Sequence, residues 1–177
     1  NSTNTEFLAY QFKPVLQFLD SPTNGILIAD EVGLGKTIEA GLIWTELQAR
    51  EDARRLLVVC PAMLCDKWKR ELAHRFGVKA SIVDAHELIQ QLEEIKRQPH
   101  QEFALIASLQ GIRPSRGWND EDEPSDTAAA RLARLLNESE LEEPLLDMVI
   151  IDEAHYLRNQ DTQTHRLGAL LRPVAQH

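Results

Sequence analysis

The segment ILIADEVGLGKTIEAGLI, residues 26–43, joins an apolar run to an amphipathic helical pattern through a turn that contains glycines. Glycine lets the backbone curl so that successive amide N–H groups point inward, as a phosphate-binding loop requires. We therefore expect the amides from Gly33 to Thr37 to contact the β- and γ-phosphates of a nucleotide, assisted by the positive end of the helix. Lys36 supplies a positive charge for the phosphates, and the Thr37 hydroxyl is expected to ligate magnesium.

Asp30 departs from the strict phosphate-loop pattern G-x-x-x-x-G-K-[ST], which has its first glycine at that position. An ordinary turn that happens to contain Gly-Lys-Thr is the alternative interpretation. The setting of this turn, between a buried strand and an amphipathic helix, favours the phosphate-binding loop.

An acidic pair follows another apolar run in MVIIDEAH, residues 148–155. Magnesium bound beside a phosphate loop needs a carboxylate, and Asp152 is expected to hold it directly or through a water molecule. Glu153 is expected to orient and deprotonate the attacking water. Alone, two carboxylates at a strand end could simply cap the next helix. Together with the loop they predict an ATP·Mg²⁺ site whose catalytic residues are Lys36, Asp152 and Glu153.

The elements that must position these residues follow an alternating pattern. Five short apolar runs lack polar alternation, as strands covered on both faces do: residues 26–29, 56–60, 80–83, 103–107 and 148–151. Between them lie one-sided apolar stripes typical of helices, formed by Leu64, Trp68, Leu72 and Phe76 and by Leu88, Ile89, Leu92 and Ile95. The sequence therefore predicts an α/β fold with a mainly parallel sheet and helices on both faces.

The net charge of −9 disfavours binding to a polyanion, but the charge is unevenly distributed. Residues 119–147 carry ten acidic side chains against Arg131 and Arg134, so a basic face elsewhere is not excluded. Residues 114–126 combine proline, glycine and charge and predict an exposed loop. With a predicted helix over residues 128–136, they make residues 114–146 an acidic insertion before the last strand.

No apolar run approaches the roughly 20 residues that span a bilayer, and no secretory signal begins the chain. We therefore expect a soluble, intracellular, cytoplasmic protein without a membrane partner. Cys60 and Cys65 lack histidine or cysteine partners at zinc-finger spacing, so they are predicted to be buried, reduced thiols.

DEVGLGKT followed by DEAH resembles the first RecA-like lobe of the superfamily-two helicases, specifically of the Swi/Snf-type translocases. Members of that group are similar to this chain in having DExGLGKT in place of the first glycine. The string ADEVGLGKTIEAGLI is most similar to bacterial members of the RNA-polymerase-recycling type. The resemblance covers nearly all of residues 1–177 and implies a RecA-like P-loop fold.

AYQFKPVLQFL, residues 9–19, resembles the upstream motif in which a glutamine amide reads the adenine edge, here Gln11. A solvated helix glutamine is the alternative. With this match, the residues expected to bind the nucleotide are Gln11, Gly33, Leu34, Gly35, Lys36 and Thr37. His155, in DEAHYLRN, resembles the histidine that couples the nucleotide state to movement; a locally satisfied histidine is the alternative.

Two further segments resemble motifs that contact the nucleic-acid backbone where strands end. VVCPAMLCDKWKREL implies contacts through Pro61, Ala62 and Met63, and ALIASLQGIR implies contacts through Ser108 and Arg113. Trp68 lies on the apolar stripe of its helix, so packing in the core is favoured over stacking on a base.

The resemblance implies one ATP-binding lobe of a nucleic-acid-dependent ATPase motor that acts on duplex DNA. It also implies a second RecA-like lobe in the same full-length protein, whose arginines would reach the γ-phosphate. Without them, residues 1–177 are expected to bind ATP but to hydrolyse it poorly. The alternatives are a strand-separating helicase, a restriction-type motor subunit, or a nucleotide-binding regulatory module.

Overall fold

Four of the predicted apolar runs form one parallel sheet. The computed structural model describes residues 35–122, 125–138, 143–152 and 163–177. The strands are β1 (Arg55–Cys60), β2 (Ser81–Ile82), β3 (Phe103–Ser108) and β4 (Met148–Ile151), in the order β2-β3-β1-β4. The predicted strand at residues 26–29 lies outside the described residues.

The three longer strands end at the same edge of the sheet. Cys60, the last residue of β1, pairs with Ser108, the last residue of β3. On its other side, β1 pairs Val59 with Ile151, the last residue of β4. Residues that follow β1, β3 and β4 therefore emerge side by side, and we call this the carboxyl edge.

Helices connect the strands as the apolar stripes predict. They are α1 (Lys36–Glu51), α2 (Cys65–Phe76), α3 (Ala85–Arg97), α4 (Leu109–Ile112), α5 (Ala128–Glu138) and α6 (Gln163–Leu171), with 3₁₀ turns at Ala62–Leu64 and Arg172–Val174. A capping box starts α3, in which the Asp84 carboxylate accepts from the Glu87 amide at 2.8 Å. Gly77, with a φ of 63°, ends α2 in the left-handed conformation that glycine adopts without strain.

The helices cover both faces of the sheet, as predicted for the α/β fold. On one face, α1 and α2 pack against Leu56, Val58 and Cys60 of β1. On the other face, residues of α3, α4, α5 and α6 pack against Leu57 and Val59. Because alternate residues of β1 enter different cores, the strand needs an uninterrupted apolar sequence.

The final residues of the chain extend the sheet beyond β4. Leu146 and Ala175 form a parallel bridge, and the Val149 amide donates to the His177 carbonyl at 2.9 Å. The strand analysis of the sequence missed this pairing, because three residues are too few to produce a periodic pattern.

The acidic segment divides into an exposed loop and a core helix. In the described part of residues 114–127, Pro114 is buried and Trp118 packs partly against the core, and most others are exposed. Helix α5 buries Leu132 and Leu136 in the same core. Arg134 joins the two parts, because its guanidinium donates to the carbonyls of Trp118 and Ser125. That this segment is an insertion stays a prediction.

Among the helices that the structure describes, none combines the length and the apolar character needed to cross a membrane.

Candidate functional site

The start of α1 has the backbone that the phosphate-loop prediction requires. Gly35 precedes the helix with φ 97° and ψ 23°, a left-handed conformation that is costly for residues with a Cβ. Its carbonyl accepts from the Glu39 amide at 3.0 Å, so the helix begins directly at Lys36. Lys36 and Thr37 are half-buried in the first turn.

Packing of α1 brings this turn towards the carboxyl edge. The apolar face of α1, which includes Ile43, Trp44 and Leu47, lies along β1 in one core. Because α1 ends at Glu51, shortly before β1 begins, the helix must run opposite to the strand. Its N-terminus therefore points towards the edge where β1, β3 and β4 end.

Glu39 in the first turn of α1 was not singled out from the sequence. It is only 1% exposed, and carboxylates are rarely so buried. The positive end of the helix stabilises a negative charge at this position. Its position in GKTIE does not predict its burial. Helices often carry exposed acidic residues in the first turn, so the residue type alone is not informative.

Asp152 lies at the same edge, one residue after β4. Its amide donates to the Val59 carbonyl at 2.8 Å, which continues the pairing of β4 with β1. Its carboxylate Oδ2 accepts a hydrogen bond from the indole Nε1 of Trp68 at 2.9 Å. The predicted magnesium ligand is thus half-buried and anchored both through its backbone and through its side chain.

Trp68 is in the core, as the apolar stripe predicts, but its polar contact was not predicted. The side chain is 4% exposed and packs in the same cluster as Cys60 and Met148. Because a buried indole N–H usually finds a hydrogen-bond acceptor, a polar contact of Trp68 could have been expected in general terms. Which acceptor it finds depends on the register of β1 and β4, which the helix pattern does not contain.

The two cysteines are buried and reduced, as predicted. Cys60 and Cys65 are free thiols whose sulfur atoms lie 3.5 Å apart. The pKa of the Cys60 thiol is raised, first by burial, then by its contacts with Cys65, and finally by the negative charge of Asp152. The Cys60 thiol is therefore expected to stay protonated and unreactive.

The residues expected to contact nucleic acid follow β1 and β3 at the carboxyl edge. After β1, the Ala62 amide donates to the Gln110 side-chain oxygen at 3.0 Å, and Met63 is 86% exposed. After β3, the Ser108 hydroxyl accepts from the Gly111 amide at 3.0 Å and so caps α4. The bond between Ala62 and Gln110 brings the two segments together.

Gln110 is the residue that joins them, and the sequence analysis did not identify it. Because it already accepts the Ala62 amide hydrogen, a phosphate bound there would have to replace that bond. Pro61 is half-buried, and Arg113 is exposed. The expected contacts of Pro61, Ala62, Ser108 and Arg113 with nucleic acid stay predictions.

The remaining predicted site residues lie outside the described residues. They are Gln11, Gly33, Leu34, Glu153 and His155.

The SNF2-related domain model matches residues 10–173. This chain belongs to that family. The SNF2-related domain therefore takes in both the glycine turn and the acidic pair, and the prediction of a Swi/Snf-type superfamily-two lobe is confirmed.

Curated relatives agree with the assignment to the SNF2 family. RNA polymerase-associated protein RapA from Sodalis glossinidius is 31% identical over 152 residues, which are 86% of this chain and 14% of that protein. The uncharacterized ATP-dependent helicase YqhH of Bacillus subtilis is 28% identical over 165 residues, covering 89% of this chain and 23% of the relative. This SNF2 domain thus spans a small part of the relatives that it matches.

The SWI2/SNF2 ATPase core of Sulfolobus solfataricus, solved in complex with dsDNA, has a similar fold. The TM-score is 0.64 at 19% identity, over 98% of this chain and 31% of the Sulfolobus chain. This likeness confirms the RecA-like fold of the SNF2 domain.

Proposed function

We propose that this SNF2 domain is the ATP-binding lobe of a nucleic-acid-dependent ATPase motor, and that the motor translocates on double-stranded DNA. The observation that carries the proposal is the arrangement at the carboxyl edge. Gly35, Lys36 and Thr37 lie at the start of α1, on the side of the sheet where Asp152 follows β4. A glycine-led helix start and a strand-end carboxylate are the two halves of a P-loop nucleotide site.

The donors present fit ATP and magnesium. Gly35 has the left-handed conformation that lets backbone amides curve around a phosphate, and Lys36 would provide the charge. Thr37 and Asp152 offer the hydroxyl and carboxylate oxygens that Mg²⁺ prefers. Bound magnesium would neutralise charge that develops on the phosphates. In the same proposal, Glu153 activates the attacking water, Gln11 binds adenine, and His155 couples hydrolysis to movement.

One observation supports duplex DNA as the partner, and a second supports binding to nucleic acid in general. The Sulfolobus SWI2/SNF2 core, which shares the fold, was solved in complex with dsDNA. In this chain, α2 leaves the carboxyl edge with Lys67, Lys69 and Arg70 all exposed. Binding to nucleic-acid phosphates requires exposed cations. Lys67, Lys69 and Arg70 are also distant in sequence from the acidic residues 119–147. The basic start of α2, with Arg113, is the surface proposed to contact the DNA backbone.

The whole motor is proposed to contain a second RecA-like lobe. The SNF2 domain covers 14% to 31% of the relatives and the solved chain reported above, which leaves room for further domains there. An arginine from a second lobe would complete the site at the γ-phosphate and raise the rate by about 10³–10⁵-fold. Residues 1–177 alone should therefore bind ATP but hydrolyse it slowly.

Calorimetry on residues 1–177 tests the nucleotide site. ATP·Mg²⁺ should bind with micromolar-to-millimolar affinity, and Lys36→Ala should weaken binding because the phosphates lose a positioned charge. The matched control is Lys79→Ala, which removes an exposed lysine just before β2, at the opposite edge of the sheet. Identical titrations of wild type and Lys36→Ala would refute the assignment.

Assays on the full-length protein separate the translocase from its alternatives. A translocase should show ATPase activity that rises with duplex DNA, without displacing a strand. Strand displacement would identify a helicase, and ATPase activity that ignores nucleic acid would favour a regulatory module.

A further inference from the structure

The hydrogen bond from Trp68 to Asp152 joins two parts of the chain that are 84 residues apart. Asp152 follows β4, whereas Trp68 is in the first turns of α2. The donor is rigid, since an indole has two side-chain torsions and Trp68 is 4% exposed within the packed core. A buried donor that cannot move restricts the carboxylate that accepts from it.

We propose that Trp68 is a positioning residue for magnesium. Its indole N–H holds Oδ2 of Asp152, so the carboxylate is presented to the metal in one orientation instead of sampling several rotamers. The inference rests on the proposed role of Asp152 as a magnesium ligand. Carboxylates that ligate metals are commonly fixed by such outer hydrogen bonds, and losing the bond typically lowers metal affinity by about 10–100-fold.

Core packing alone does not account for this contact, as Trp44 illustrates. Trp44 is 2% exposed and lies in the same hydrophobic cluster as Trp68. Within the described residues, however, its Nε1 has no hydrogen-bond partner. The core can therefore hold a tryptophan whose N–H makes no hydrogen bond. The N–H of Trp68, in contrast, points at Asp152 at the carboxyl edge.

Trp44 provides a matched control for an experiment on the full-length protein. Trp68→Phe and Trp44→Phe each remove an indole and keep an aromatic ring in one core, but only the first removes a donor to Asp152. Calorimetry with ATP, with and without magnesium, measures the gain in nucleotide affinity that magnesium provides. This gain reports on the metal site and needs no catalysis.

Trp68→Phe should reduce the magnesium-dependent gain by about 10-fold or more, because Asp152 loses its fixed orientation. Affinity for ATP without magnesium should change by less than about 2-fold, since the phosphate loop is untouched. Trp44→Phe should keep the full gain. An unchanged gain in Trp68→Phe would overturn the inference, and so would an equal loss in Trp44→Phe.

A second substitution removes the N–H group without changing the ring shape. Benzothienylalanine, incorporated at position 68, replaces the indole N–H with sulfur and keeps two fused rings. This variant should lose the magnesium-dependent gain in ATP affinity, as Trp68→Phe does. A full gain would refute the inference even if Trp68→Phe failed to fold.

Asp152→Asn separates the inference from the function on which it rests. This variant should lose most of the magnesium-dependent gain. If it retains the gain, the metal assignment of Asp152 is wrong. If it loses the gain but both position-68 variants keep theirs, Asp152 binds magnesium and Trp68 does not position it.

Discussion

Asp147 and Asp152 flank the same strand, yet their partners differ. Asp147 precedes β4, and its Oδ2 accepts from the amides of Arg54 and Arg55, each at 2.8 Å. Asp152 follows β4, and its Oδ2 accepts from the indole of Trp68. Both are half-buried. The first carboxylate is bound to backbone at the start of β1, and the second is held by a side chain at the edge proposed to bind ATP.

Residue type and burial alone therefore do not distinguish the structural carboxylate of Asp147 from the proposed metal ligand Asp152. Two backbone donors satisfy Asp147 and lock the start of β1 to the start of β4. The side-chain donor to Asp152 comes from a helix, so this bond joins α2 to the end of β4. We therefore expect substitution of Asp147 to affect stability and substitution of Asp152 to affect activity.

The largest effect is expected from Asp152→Asn in the full-length protein. Its ATPase rate should fall by about 100-fold or more, since the metal that neutralises phosphate charge contributes several kcal/mol. Its free energy of unfolding should change little, because the asparagine oxygen can still accept from Trp68. Urea denaturation measured beside the ATPase assay checks both, and a large loss of stability would make Asp152 a structural residue like Asp147.

Asp147→Ala should lower the stability of the protein and leave its ATPase rate nearly unchanged. It leaves the amides of Arg54 and Arg55 without their acceptor, which costs about 1–3 kcal/mol of unfolding free energy. ATPase activity per folded molecule should stay within about 2-fold of wild type. Asp126→Ala, at an exposed loop position, is the control and should change stability by less than about 0.5 kcal/mol. A destabilisation no larger than this control would remove the distinction between the two aspartates.

The smallest effect concerns the reactivity of the buried thiols Cys60 and Cys65. Burial raises the pKa of Cys60, so at pH 8 its thiolate fraction lies below that of an ordinary cysteine and a thiol reagent should react slowly. Asp147→Ala should speed labelling because unfolded molecules become more frequent. Asp152→Asn should change the labelling rate by less than about 2-fold, since burial outweighs its charge. Rapid labelling of wild type would show that the carboxyl edge opens locally.

Local patterns predicted most of the elements. The apolar runs at residues 56–60, 103–107 and 148–151 became strands within one residue of the predicted ends. Helix α2 follows the stripe from Leu64 to Phe76, and α5 covers the predicted residues 128–136. These predictions succeed because backbone hydrogen bonding and burial of one face act over a few neighbouring residues.

The candidate site was predictable where its chemistry is local. The strand, glycine turn and helix start make Gly35, Lys36 and Thr37 identifiable, because a phosphate loop is built from consecutive residues. Asp152 was identifiable because it directly follows an apolar run. The residues Glu39, Trp68 and Gln110 were not assigned to the site, since each is an ordinary residue in its own helix.

Contiguous residues were enough to predict the family and the α/β class of this protein, and they carry the proposed phosphate loop and acidic pair. The tertiary structure alone decided that Trp68 donates to Asp152, that Gln110 holds Ala62, and that Asp147 locks the start of β1. Those contacts join residues 84, 48 and 93 positions apart. Each depends on strand register and helix placement, which arise from packing of the whole domain and not from any local propensity.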